Sequence, residues 1–370
     1  MANEAIVTGK SWTVAKAETT RGADISPSTS DQILVIDGFE MQKAQPNIRV
    51  SAESAFAPHQ RSRPGQLSWP WSIGGGDIFP LQIIDANSYP LNWALLQLVG
   101  FGDFTYAVGP PKTLTATLLS AGHKSFTIKH YQRNEAGTTV IKKTLLGAMA
   151  DGIIKGGAGQ TLRVELRNGL AMSGSAIADD ATAPGTITYQ DSESNKELPF
   201  VCQGVTLSAL ASVEASPESL TADVVSFEIG INRSVTERTS ITSTGGLSSV
   251  YDSAANYRTL QLVVASTVTG DWDPLDYWDN AKPIEVDLAF TSLSSPGTPG
   301  SAGAHCYLKG FWQIENVVEG DDAGRRIRTL TCHSISDESD GLTKAAATET
   351  GADPGEVAGD NLTIQFEYTT

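Results

Sequence analysis

TTVIKKTLLGAMADGIIKGGAGQTLRVELRNGL, residues Thr138–Leu170, reads as two β-strands joined by a glycine turn. Val, Ile, Leu and Thr fill both arms, and Gly156, Gly157 and Gly159 supply the break between them. The first arm carries Gly147 at its centre. Far down the chain, AHCYLKGFWQIENVVEG (Ala304–Gly320) and RRIRTLTCHSI (Arg325–Ile335) present the same arrangement, a long strand followed by a shorter one.

The likeness extends upstream of both pairs. KSFTIKHYQ (Lys124–Gln132) precedes the first and PIEVDLAFTS (Pro283–Ser292) the second. Before them lie PLNWALLQLVG (Pro90–Gly100) and DPLDYWDNA (Asp273–Ala281), each predicted to hold a short Trp-bearing helix. The first is apolar nearly all round and is therefore expected to be covered by a sheet. Earlier still, ILVIDGFEM (Ile33–Met41) runs through the polar segment Lys43–Gly65 into QLSWPWSIG (Gln66–Gly74). VVSFEIGI (Val224–Ile231) runs through Asn232–Asn256 into YRTLQLVVASTVTG (Tyr257–Gly270). The order of elements repeats without a clear repetition of residues. Duplication of one β unit supplies two equivalent wall segments per chain, which is how building blocks of rings and tubes are made.

With 370 residues, the chain is expected to form two domains of roughly 150 to 200 residues each. The boundary is placed near Asn195. Residues 1–195 include an extended N-terminal arm with at most a short strand around Ser11–Ala15; residues 196–370 include an acidic insertion, 337–360, with Lys344 as its one base. PFVCQGVTLSAL (Pro199–Leu210) opens the second domain and NLTIQFEY (Asn361–Tyr368) closes it as strands. Only 18% of residues are charged, and Gly, Ser, Thr, Val and Ala abound, so a mostly β fold follows. The net charge of -16 argues against a surface that grips nucleic acid through its phosphates. Three cysteines, Cys202, Cys306 and Cys332, sit in apolar strand-like segments without CxxC spacing, and read as buried thiols. The start of the chain has no basic region leading into an apolar core, and no run is apolar enough for a membrane span. A soluble protein made in the cytoplasm is the expectation.

Candidate chemistry is sparse. His305 and Cys306, with Cys332 and His333, offer one ligand per pair to either sheet face, because neighbours in a strand point oppositely. GGAGQT (Gly156–Thr161) lacks the Lys of a phosphate loop and joins two strands. Ser173 and Ser175 lie in GLAMSGSA without a nucleophile elbow, and Glu319, Asp321 and Asp322 lack the spacing of a calcium loop. No catalytic residue, metal site or cofactor is assigned. The residues expected at contacts between subunits or rings are the basic groups of the two long loops: Arg49, His59, Arg61 and Arg63, with Arg233 and Arg238. Trp69 and Trp71, on one strand face around Pro70, are the exposed-aromatic candidates for the same contacts, while Trp93, Trp278 and Trp312 read as core.

The run from KSFTIKHY through TTVIKKTLLGAMADGIIKGGAGQTLRVELRNGLAMSGSA, LPFVCQGVTLSAL and TADVVSFEIGINRSVTERTSI resembles the major tail tube proteins of long-tailed, siphovirus-like bacteriophages. The resemblance covers about Ala23 to Ile335 in order and spacing, with no signature residues. It implies two tandem tube domains of β-sandwich or barrel-like form, each with a flanking helix and a long stacking loop, whose sheets join those of neighbouring subunits. It further implies a homotrimer acting as a pseudo-hexameric ring, stacked into a tail tube that conducts DNA without binding it. The partners it implies are the tape measure protein and the tail terminator and distal tail proteins. Localisation would be the virion, after assembly in the host cytoplasm. The alternatives are another viral or secretion-system ring or decoration protein, and a carbohydrate-binding or hydrolytic β-sandwich.

Overall fold

The computed structural model describes residues 6–28, 31–35, 38–44, 47–48, 63–64, 67–80, 90, 92–119, 123–134, 140–177, 199–211, 218–239, 247–252, 258–265, 274–279, 283–292, 303–335 and 362–369. Its first half holds β1 (Ile6–Ala17), β2 (Gln32–Ile33), β3 (Phe39–Met41), β4 (Asn47–Ile48), β5 (Arg63–Pro64), β6 (Trp69–Asp77) and helix α1 (Trp93–Val99). These are followed by β7 (Thr105–Ala107), β8 (Lys112–Thr117), β9 (Phe126–Asn134), β10 (Val140–Gly157), β11 (Arg163–Ala171) and β12 (Ser173–Ile177). The second half holds β13 (Phe200–Ala211), β14 (Glu218–Gly230), β15 (Val235–Thr239), β16 (Leu247–Asp252) and β17 (Thr259–Ala265). Then come helix α2 (Pro274–Asp279), β18 (Pro283–Ser292), β19 (Gly303–Asp322), β20 (Arg325–Ser334) and β21 (Thr363–Thr369). The protein is mostly β, and every strand ladder is antiparallel.

The two halves share one pairing scheme. In the first, β1 pairs with β9, β9 with β10, β10 with β11, β11 with β6 and β6 with β3; β2, just upstream of β3, returns to β1. In the second, β13 pairs with β18, β18 with β19, β19 with β20, β20 with β17, β17 with β14 and β14 with β13. Each long strand also carries an extra strand beside its beginning, β12 on β10 and β21 on β19. Closing strands into a ring removes the open edges that otherwise invite uncontrolled pairing. Equivalent rungs can be read across both rings: Phe39–Ile73–Leu166–Gly152 in the first and Phe227–Leu262–Leu330–Val317 in the second. The rungs equate Phe39-Glu40 with Phe227-Glu228, a residue-level echo too short to stand out in the sequence.

The bend of β10 depends on Gly147. Its φ of 65° is unfavourable for residues with a Cβ, and a Cβ there would lie 2.7 Å from Cγ of Met172. Glu18 secures the bend. Its carboxylate accepts hydrogen bonds from the N–H groups of Gly147 (2.8 Å) and Gly22 (2.7 Å) and from the hydroxyls of Ser125 (2.7 Å) and Thr127 (3.0 Å). Four donors offset the cost of burying this charge.

Helix α1 is covered as its composition predicts, with Leu95, Leu96, Leu98 and Val99 fully buried against the sheet. Asn92 enters it in the left-handed region (φ 67°), and its side-chain amide ties Leu34 O (2.9 Å) and Leu34 N (2.7 Å) to the helix start. Gly100 (φ 122°) ends it, donating its N–H to Leu96 and Gln97 carbonyls.

The structure differs from the expectations in four respects. The N-terminal segment is no free arm: β1 lies between β2 and β9, and Val14 is wholly buried. Its apolar alternation is short, and its partner β9 lies over a hundred residues away, where local pattern cannot reveal it. Strands β7 and β8 were not anticipated, because Leu114 and Ala116 are the only buried apolar positions in a Thr-rich stretch. Trp278 is 39% exposed rather than core, on a helix of a single turn and a half that meets β19. The core also differs from two separate ones: buried apolar side chains from Ala15 to Phe366 form one cluster spanning both halves. The proposed boundary near Asn195 and the insertion 337–360 lie outside the described residues.

Candidate assembly interface

The two halves meet through backbone ladders. The end of β10 pairs with the end of β14 in the register Ile153↔Gly230, Ile154↔Ile229, Lys155↔Glu228, Gly156↔Phe227 and Gly157↔Ser226. Lys155 stands opposite Glu228 in this register, with its ammonium on Glu165 of β11. Gly156 is required by close approach: a Cβ there would lie 2.3 Å from Cys202 Sγ and 2.9 Å from the Phe227 ring. A second ladder joins β21, near the end of the chain, to β8 of the first half, from Thr363↔Thr117 to Tyr368↔Lys112. Different elements are used on the two sides, so the junction is head-to-tail.

A buried polar lock sits behind the first ladder. Asp151 Oδ1 accepts from the N–H of Arg233 (2.9 Å) and from that of Gly152 (2.7 Å). Arg233 Nη1 donates to Leu98 O at the end of α1 (2.7 Å), and Arg258 Nη1 donates to Ile231 O (2.7 Å). Burial raises the Asp151 carboxyl above its usual range, opposed by the hydrogen bonds from Arg233 and Gly152 and by the charges of Arg233 and Arg258. The lock ties residues of the second half to the helix and central strand of the first.

The long segment after β14 contributes as well. Strands β15 and β16 pair with each other and pack against β11 and β10 of the first half. Arg21 Nη1 donates to Val250 O (2.9 Å), Val250 is fully buried, and Ser68 Oγ donates to the Glu237 carboxylate. The described part of Asn232–Asn256 is thus a hairpin folded onto its neighbouring half. Its counterpart in the first half shows the same local form, since β4 and β5 pair as Asn47↔Pro64 and Ile48↔Arg63.

Of the residues expected at contacts, Arg49, His59 and Arg61 lie outside the described residues, and Arg63 is placed by its backbone in β5. Arg238 is exposed on β15, while Arg233 is 5% exposed and internal. Trp69 (7%) and Trp71 (4%) are buried, which overturns their reading as exposed aromatics. The reason is the run of small residues facing them: a Cβ on Gly169 would lie 2.5 Å from the Trp71 ring, and one on Gly174 would lie 2.5 Å from the Trp69 ring. The three cysteines are buried free thiols. Burial pushes Cys202 and Cys332 up to about 12 and Cys306 well upward too, so they are poor nucleophiles. Among the described residues, no group of three or more His, Cys, Asp or Glu side chains is gathered for a metal. Nor is any helix among them long and apolar enough to cross a membrane.

The residues that sequence reasoning missed are Asp151 and Arg258, polar groups inside apolar strands. Their signal is a charged side chain interrupting GAMADGII and at the head of RTLQLVV, where strand alternation alone gives no reason for it. The sequence matches no family model, and no curated protein matches it at a significant level.

Proposed function

We propose that this chain is a structural virion protein: the ring-forming subunit of a phage tail tube, carrying two tandem tube domains. The observation that supports it most is the head-to-tail ladder of β10 on β14 between two halves that share one strand-pairing scheme. A head-to-tail contact repeated between copies closes into a ring when its rotation divides a full turn. Two such units per chain fit three chains in a six-unit ring, stacked into a conduit for DNA ejection. A net charge of -16 suits a wall past which DNA moves without adhering. In this reading the terminal rings meet tape measure, tail terminator and distal tail proteins, and no cofactor or catalytic step is involved.

Negative-stain imaging with light-scattering mass measurement of the purified chain tests the reading. Rings or tubes with three chains per ring are expected. A chain that remains monomeric at every concentration and binds ligands on a glycan array is instead a carbohydrate-binding β-sandwich.

A further inference from the structure

The junction inside the chain predicts the one between chains, because each half has the elements to make it and, among the described residues, one of those elements in each half has an unpaired edge. Aligning the β10–β11 and β19–β20 hairpins on their Ala-Gly turns, Ala158-Gly159 and Ala323-Gly324, equates Ile153–Gly157 with Val318–Asp322. The rungs agree, since Gly152 and Val317 occupy the same place in the two rings, as do Ala148 opposite Phe126 and Gln313 opposite Pro283. On β10 this segment faces β14; on β19 the ladder to β18 stops at Gln313↔Pro283. Beyond it, Val318–Asp322 pair only with β20 among the described residues, and Val318 is 53% exposed. A strand end with its polar backbone and a valine open to water is an edge awaiting a partner. The same comparison equates Ser226–Gly230 of β14 with 38–42, and β3 within it pairs only with β6 among the described residues.

We infer that a second copy of this chain pairs its β3 edge with the β19 edge of the first, in the register Val318↔Gln42, Glu319↔Met41, Gly320↔Glu40, Asp321↔Phe39 and Asp322↔Gly38. This rests on the ring-forming reading and specifies its contact. The hairpin that follows β14 lies over β10 and β11; by the same placement, the segment after β3, with β4 and β5, lies over β19 and β20 of the neighbouring copy. Two differences make this junction weaker than the internal one. Gly320 stands where Lys155 opposes Glu228, so no cation stands opposite Glu40 in this register. The β21–β8 ladder has no counterpart either, because α2 ends at Asp279 and β18 begins at Pro283, with no room for a β7–β8 excursion. The assembly is therefore expected to dissociate on dilution into folded single chains.

Cysteine cross-linking tests the register. The double variants Val318→Cys with Gln42→Cys, and Glu319→Cys with Met41→Cys, place thiols at directly opposed positions, and the native thiols are buried and do not compete. Lys155→Cys with Glu228→Cys gives the intrachain control, and Val318→Cys with Glu40→Cys a register slipped by two. Mild oxidation is expected to yield a ladder of covalent multimers from at least one predicted pair, at least tenfold more than from the slipped pair. Rings seen by microscopy without such a ladder, or with equal cross-linking of the slipped pair, overturn the register and leave the ring reading standing. A chain that stays monomeric, with only the intrachain control oxidised, overturns both.

Discussion

His130 lies between β1 and β3, its Nδ1 2.9 Å from Thr13 Oγ1 and its ring stacked 5.0 Å from that of Phe39. Burial lowers it to about 4, and the charge of Lys143, its cross-strand neighbour, acts in the same direction. The unfolded chain protonates near the ordinary value of 6.5, so the neutral folded form contributes stability that is complete above that pH. It is lost as pH falls from about 6.5 through about 4. Denaturant unfolding at pH 7 and pH 4 is expected to show a loss of about 3 kcal/mol at this site. His130→Gln should remove most of that difference, and an unchanged slope in the variant refutes the assignment. Neither His130 nor Glu18 is legible in the sequence, because their burial is created by strands far away in the chain. Trp69 and Trp71 were legible as a pair on one face; whether that face met solvent or glycine was not.

At the scale of elements, the sequence carries the strands and helix α1 because their signal is local. Alternation of Leu260, Leu262 and Val264, or of Ile284, Val286 and Leu288, records one buried face, and these residues are buried. The hairpin of β15 and β16 is different. Its sequence reads as a polar loop, and it becomes a strand pair because Val250 is buried against the other half of the chain. Arg233, just before it, is held by Leu98 O and through its own N–H by Asp151. Arg233→Ala is expected to destabilise the protein by about 2 kcal/mol, the order of a buried hydrogen bond to a charged group. Thermal or urea unfolding checks this. A change within experimental error shows that the lock does not hold the halves together.

For the whole molecule, assembly is expected to depend on the first-half segment after β3 more than folding does. Deleting residues 46–63, which carry Arg49, His59, Arg61 and Arg63, should leave the unfolding midpoint nearly unchanged and abolish rings in sedimentation and imaging. Normal rings from that deletion remove the segment from the interface. The amino-acid sequence by itself determined the mostly β class, the repeated order of elements, the covered helix and the acidic balance, because each of these is written in short-range pattern or in composition. Tertiary structure alone decided that β1 is an interior strand, that Trp69 and Trp71 are buried, and that the halves are welded through β10–β14 and β8–β21. Those outcomes depend on which edges meet between residues as far apart in the chain as Gly157 and Ser226 or Lys112 and Tyr368, and backbone pairing is almost blind to side-chain identity. The same blindness hid the repeat at the level of residues while preserving it rung by rung in the ladders.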